Sequence, residues 1–513
     1  MSEQEASGPL AAISNALGAW DAATGRPGYR VIGVVIGLLI FAGVLWLPTP
    51  DGLSAEAHRV GAVGVLMTVW WLGRVLPLAV TAMLPAVLFP LMGVLSFADS
   101  IKPFAHPLNA LMLGGFVIGH AMERAGLHHR LIRTLLAPDW IRATPARVVL
   151  ALMVASAVFS GLASNTATTV MLLPLAVELG RRCTGTARQA SVFVLALAYS
   201  ASIGGVSTLI GTPPNAILAQ EAPSITFASW LAVGVPFVIL AVPIAWFVLT
   251  RVGSALPRRF ESEPERPESQ PWTAAEVGVL VLVGLAVLGW LTRTDLEFGG
   301  GWTAPGWGGL LPAKWSHDAL VAAAIAPLLF LLPALPKDRR PKDSGAFLLS
   351  ARSAERGIPW SVLILLGGGF SLAAAVKVTR LTEWLAGATA GLAWVQGAFG
   401  EGSWIGLMAA VLLVSLVLTF LTELTSNTAT TQIMLPILAA GALTAGVDPL
   451  YWMVPATISA SCAFMMPVAT APNAIASQAG GVSPGDMAWS GLVLNLALVG
   501  VAAAVTMTMV PWL

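Results

Sequence analysis

One six-residue string occurs twice, and it constrains the fold more than any other feature of the chain. Ser164-Asn165-Thr166-Ala167-Thr168-Thr169 returns letter for letter as Ser426-Asn427-Thr428-Ala429-Thr430-Thr431. Each copy is followed by a proline–asparagine element: Thr212-Pro213-Pro214-Asn215-Ala216-Ile217 after the first, Thr470-Ala471-Pro472-Asn473-Ala474-Ile475 after the second. Ahead of each copy lies a third landmark, Leu113-Gly114-Gly115-Phe116 or Leu366-Gly367-Gly368-Gly369-Phe370. Three landmarks in one order, twice, imply an internal duplication of about 250 residues, far above solenoid periods and suited to two pseudo-symmetric halves.

The medium follows from composition. Apolar residues make up 56% of the chain and charged ones 10%, with a mean hydropathy of +0.80. Many stretches approach or exceed the roughly 20 residues that cross a bilayer as helix, so the chain reads as an all-α polytopic membrane protein with the lipid bilayer as a partner. A net charge of +1 gives no reason to expect a nucleic acid. Two cysteines, Cys183 and Cys462, one in a basic loop and one in an apolar helix, make a disulfide framework unexpected. Residues 1–29 lack the charged and apolar regions of a cleaved signal and read as a cytoplasmic tail, partly interfacial through Trp20.

The chain then divides as follows. Residues 30–105 hold N-terminal helices, for which the resemblance described below implies a scaffold and dimerisation role: a span at 31–47 and two more in 60–95, parted by Arg74 and Pro77. Residues 106–250 form the first repeat. It has a span at 107–122, an amphipathic interfacial stretch at Leu127–Leu136, a re-entrant hairpin at 146–180, a span at 190–222 broken at Gly211–Asn215, and a last span at 227–250. The apolar arms of the hairpin are about 17 and 11 residues, short for full spans. His128-His129 reads as a solvated charged face in preference to a metal site. A cytoplasmic linker covers 251–273, and 274–357 holds two scaffold helices and a charged loop. The second repeat fills 358–513: a span at 358–376, an amphipathic piece at 379–395, a hairpin at 404–440, a broken span at 450–478 and a closing helix.

Lysine and arginine set the sidedness. With the N-terminus in the cytoplasm, 21 of the 27 fall on cytoplasmic segments, leaving Arg59, Lys102, Arg293, Lys314, Lys377 and Arg380 outside. This bias obeys the positive-inside rule, puts the two hairpins on opposite faces and makes the repeats inverted. The membrane expected is the inner (plasma) membrane of a bacterial-type cell.

A hairpin tip and a broken helix from each half, meeting near the midplane, offer free backbone groups. Helix N-termini favour an anion and unwound carbonyls a cation. Hydroxyls and amides of Ser, Thr and Asn serve either partner. Neither motif contains Lys or Arg, so cations would supply the charge an anion needs. That is the logic of ion-coupled transport.

The paired Ser-Asn-Thr strings with their Pro-Asn loops resemble the divalent anion/sodium symporter family, whose members carry dicarboxylates, citrate or sulfate. The stretch Ala460–Ile475 is similar to that family's signature and departs from it at Ala476, where valine is expected. The resemblance runs over residues 30–513. It implies about eleven transmembrane helices plus two re-entrant hairpins and two unwound helices, a homodimer, and elevator-type alternating access. It implies one sodium held at Ser160, Ser164, Asn165 and Gly211, and another at Thr422, Thr425, Asn427 and Ala469. Substrate carboxylates would meet Ser164, Asn165, Thr166, Ser426, Asn427, Thr428, Thr470 and Pro472.

Lone Ser, Thr or Asn residues in membrane helices are usually helix–helix glue. Duplication of a whole string in register argues for ligands instead. Glu423, whose counterpart is Gly161, is an ionisable residue at depth and so a functional candidate; a coupling proton, a structural pair and an interfacial position stay open for it. The nineteen tryptophans read as an interfacial belt. The expected function is sodium-coupled uptake of a C4-dicarboxylate such as succinate, malate or fumarate. A dicarboxylate exchanger, a sulfate or citrate carrier and a channel are the alternatives. A membrane enzyme is not expected, because no paired carboxylates, metal motif or activated nucleophile falls in the core.

Overall fold

The computed structural model describes residues 27–253, 256–261, 266, 270–298, 302–312, 315–334, 347–385, 387, 390–400, 402–479 and 482–513. The tail with Trp20, and the lysines and arginines of 335–346, lie outside them. The described chain is helical apart from one small antiparallel pair, Leu296–Phe298 with Trp302–Ala304. Its main helices are α1 (Pro27–Trp46), α2 (Ala55–Leu72), α3 (Leu84–Leu91), α4 (Pro107–Arg124), α5 (Leu127–Leu136), α6 (Pro145–Ser160), α7 (Asn165–Cys183), α8 (Ala187–Gly205), α9 (Pro213–Glu221) and α10 (Phe227–Phe247). There follow α11 (Ala274–Leu291), α12 (Asp318–Leu331), α13 (Trp360–Val378), α14 (Ala390–Gly397), α15 (Trp404–Leu424), α16 (Asn427–Thr444), α17 (Leu450–Ala460), α18 (Ala471–Gln478) and α19 (Pro484–Met509). Among the described residues five helices are long and apolar enough to cross a membrane, starting at Phe227, Ala274, Trp360, Trp404 and Pro484.

Two compact units emerge. One comprises the chain up to His106 together with Ser350–Trp384, and the other holds the remainder. In the first unit α13 packs beside α2 and α3, and Ser371 Oγ donates to Ser100 O at 2.7 Å. The second Gly-Gly landmark lies here: side chains at Gly367 or Gly368 would collide with Phe104 and the Ala82 backbone. The first landmark lies in the other unit, where Gly114 meets Ala322 and Gly115 meets Ile210.

The second unit carries both Ser-Asn-Thr strings. Ser156 Oγ donates to Leu197 O (3.1 Å) and Ser160 Oγ to Ala201 O (2.7 Å), so α6 runs parallel to α8. Asn165 lies at Gly205 while Gly180 lies at Ala190, so α7 runs antiparallel to α8. The two arms therefore fold back as a hairpin about the first leg of the broken helix. In the second half α17 likewise packs against both α15 and α16. Across the halves, α9 packs on α16 and α7 on α18. The four helices that begin at Asn165, Pro213, Asn427 and Ala471 thus pair crosswise, each string helix of one half on the loop helix of the other.

Three expectations need correction. The first hairpin's helical arms are 16 and 19 residues, because α7 takes in, besides the apolar stretch of about 11, the polar string 165–169 at its start and residues 181–183 at its end. There an i,i+4 pair, Arg182 to Glu178 at 2.7 Å, supports the last turn. The break in the first broken helix begins at Val206 rather than Gly211: Pro213 and Pro214 occupy the opening positions of α9, where proline initiates a helix instead of interrupting one. His128 is buried and not part of a solvated face. Its ring packs edge-on to Phe159, and burial, reinforced by the neighbouring His129, holds its pKa down at about 4. His129 is the exposed member of the pair.

The amphipathic α5 is clamped to the following unit of sequence by Arg130. Its Nε and Nη2 donate to the two Glu276 oxygens, each at 2.9 Å, and its guanidinium also reaches Gln270 O and Pro271 O and covers the Trp272 ring.

Candidate substrate and cation site

The first hairpin tip is built by capping. Helix α6 ends at Ser160, and after residues 161–163 the Ser164 hydroxyl accepts from Ala167 N at 3.1 Å to start α7. This places Asn165 at the first turn of α7, against the end of α8. The inward end of its amide lies 2.7 Å from Ser160 Oγ and 3.2 Å from both Ala201 O and Gly211 O. As nitrogen, that end shares its two protons among these three acceptors. As oxygen, it completes a group of four oxygens, the ligand type a hard cation selects. The unwound segment 206–212 is stapled beneath this cluster: Asn215 Nδ2 donates to Gly205 O (3.0 Å) and Thr208 O (2.7 Å), and Trp230 Nε1 to Val206 O (2.8 Å).

The second tip repeats the pattern with different side chains. Thr422 Oγ1 lies 2.7 Å from Asn427 Oδ1 and 3.0 Å from Ala460 O, as Ser160 stands to Asn165 and Ala201. Asn473 Nδ2 donates to Ala463 O (2.9 Å) and Met466 O (3.1 Å), as Asn215 does in the first half. The Thr470 hydroxyl caps α18 by accepting from Asn473 N at 3.2 Å, which leaves Pro472 in the first turn of that helix.

The sequence-derived residues therefore fall into groups. Ser160, Asn165 and Gly211 share one cluster, and Thr422 and Asn427 share its counterpart. The hydroxyl of Ser164 is occupied in capping, whereas that of Ser426 makes no cap bond. Thr166 is exposed at the tip and Thr428 buried. The Thr425 hydroxyl turns to Leu421 O (2.8 Å) and to the Thr430 hydroxyl, and Thr425 N donates to Thr422 O at 3.4 Å; among the described residues no side-chain hydrogen bond joins Thr425 to the Thr422–Asn427 pair, and none joins Ala469 to it. No group of three His, Cys, Asp or Glu that could hold a metal occurs among the described residues. Any cation here would be held by hydroxyl, amide and carbonyl oxygens.

Several contributors escaped the reading of the sequence. Asn215 and Asn473 belonged to the motif, but their task as staples of the unwound carbonyls was not legible from it. Gly234 and Gly491 each let a helix, α10 or α19, lie directly on an unwound segment, at Val206–Ser207 and Phe464–Met465. Their separation of 257 residues is within one residue of that between Asn215 and Asn473, 258, which was a findable signal. Asn495 and Tyr199 had no such signal. They bond Glu423 and Phe464 O across 72 and 265 residues of sequence.

Comparison with known proteins gives a consistent result. The sequence profile of a family described as citrate transporter matches residues 67–457. The sodium-dependent dicarboxylate transporter SdcS of Staphylococcus saprophyticus is 32% identical, over 94% of this chain and 92% of its own. The Na(+)/citrate cotransporter of Rattus norvegicus is 31% identical, over 90% of this chain and 91% of its own. The fold is similar to that of the YdaH transporter of Alcanivorax borkumensis, with a TM-score of 0.53 at 14% identity, covering 94% of this chain and 97% of that one.

Proposed function

Because the chain belongs to the citrate transporter family, the grouping its motifs resemble, we propose that it couples sodium entry to uptake of a C4-dicarboxylate. It is a multi-pass membrane transporter and not an enzyme. The observation that carries the proposal is the doubled cluster. A hydroxyl, an asparagine amide and a helix-end carbonyl recur at Ser160–Asn165–Ala201 and Thr422–Asn427–Ala460. Four helix N-termini accompany them, at Asn165, Pro213, Asn427 and Ala471. Their partial positive charges suit carboxylates, with α9 contributing only its dipole because Pro213 and Pro214 carry no N–H, and the oxygen clusters suit small hard cations.

In this reading the first sodium is held by Ser160, Ser164, Asn165 and the Gly211 carbonyl. The second is held by Thr422, Thr425, Asn427 and the Ala469 carbonyl. The anion lies between the two tips, against Ser164, Asn165, Thr166, Ser426, Asn427, Thr428, Thr470 and Pro472. The motifs contain no Lys or Arg, so sodium neutralises the substrate and binding of each favours the other. The two halves act as inverted repeats, the hairpins enter from opposite faces, and the hairpin group moves as an elevator within a homodimer. The chain sits in a bacterial-type inner membrane with its N-terminus in the cytoplasm.

The test is uptake of labelled succinate into proteoliposomes with and without an inward sodium gradient. Gradient-driven accumulation, lost in Asn165→Ala and in Asn427→Ala, is the expected result. Uptake that ignores sodium but requires dicarboxylate inside would replace symport by exchange.

A further inference from the structure

Glu423 sits at the end of the second hairpin's first arm, and the scheme above gives it no task. Its carboxylate is buried, and four N–H donors fill it. Oε1 accepts from Phe464 N (2.7 Å), Met465 N (2.8 Å) and Asn495 Nδ2 (2.7 Å); Oε2 accepts from Met466 N (3.1 Å). Three successive backbone N–H groups converging on one anion form a nest.

Unpaired backbone donors explain why a carboxylate is there. Helix α17 ends at Ala460, and the next amides, Ser461 N and Cys462 N, still reach Ile458 O and Ser459 O. The N–H groups of 464–466 have left the helix and have no carbonyl to meet. Buried donors must find an acceptor, and Glu423 is that acceptor. The first half solves the same problem without charge: Val206 N and Ser207 N still bond Ile203 O and Gly204 O, and Gly161 stands where Glu423 does. The carbonyls of the second segment are also fixed, Ala463 O and Met466 O by Asn473, and Phe464 O by the Tyr199 hydroxyl at 2.8 Å. Met466 O in turn accepts from Ala469 N at 3.2 Å, one residue before Thr470.

We propose that Glu423, held in place by Asn495, is a positioning residue. Its carboxylate sets the path of residues 464–466 and thereby the Ala469 carbonyl and Thr470 on which the second cation and the substrate depend. The inference rests on the transport reading above. It makes the two cation sites unequal in construction, one shaped by neutral contacts and the other by an internal anion.

The test is the sodium dependence of succinate uptake for wild type, Glu423→Gln and Asn495→Ala, with equal amounts of protein that elutes as a folded species. Gln is nearly isosteric but presents one oxygen and a hydrogen-bond donor to the nest. The expected result is a rise of about 10–100-fold in the sodium half-saturation of Glu423→Gln, the range for lost support of metal ligands. Most of the maximal rate should return at saturating sodium. Asn495→Ala, which leaves three donors on the carboxylate, should shift the same way by less. Unchanged half-saturation, or a fall in maximal rate alone, would overturn the proposal. Should Glu423→Gln not fold, Asn495→Ala decides by the same criterion. A failed transport reading would show in the wild type, whereas a failed positioning role would show only in the variants.

Discussion

An asparagine amide carries an oxygen and a nitrogen on one rotor, and at Asn165 either end can face Ser160, Ala201 and Gly211. The position works only because α8 ends in glycine. A β-carbon at Gly205 would overlap the Asn165 amide. Gly205→Ala should therefore displace the amide while leaving α8 at least as stable, since alanine is the better helix former. The expected effect is a rise of about tenfold in sodium half-saturation, equivalent to roughly 1.4 kcal/mol, read from uptake at graded sodium; no shift would mean the amide is not a ligand. The strings themselves were plain in the sequence because they repeat. The residues that shape them, Gly205, Asn495 and Tyr199, were not, since their contacts join positions far apart in sequence or depend on a close approach that no local pattern encodes.

At the level of elements, hydropathy and proline marked nearly every helix. The misplacements have local causes: proline starts α9 where it was read as a break, and a Glu178–Arg182 pair extends α7 past its apolar stretch. What the sequence could not show is which helices hold each other. Arg130 illustrates this, since its partner Glu276 is 146 residues away and both side chains are largely buried, at 16% and 10% exposure. Removing the guanidinium leaves a buried carboxylate with its main partner gone, a loss of about 3 kcal/mol. Arg130→Ala should lower the thermal unfolding temperature in detergent while leaving the sodium half-saturation of the folded fraction unchanged. An unaltered unfolding temperature would show that α5 is held by its apolar face alone.

For the whole molecule, the governing fact is charge. The duplicated motifs present hydroxyls, amides, carbonyls and helix N-termini but no Lys or Arg, so a dianion would enter this region only with cations beside it. The duplication then has a physical purpose. Each half brings one oxygen cluster, and in the proposed scheme a substrate lies between them. The most direct test is a sodium titration of succinate uptake in proteoliposomes for wild type, Ser160→Ala and Thr422→Ala. The wild type should show a Hill coefficient above one and each alanine variant a raised sodium half-saturation, with Thr422→Ser close to wild type because it keeps the hydroxyl. A hyperbolic wild-type curve, or either alanine variant with unaltered sodium dependence, would contradict the claim that the two clusters are paired cation sites.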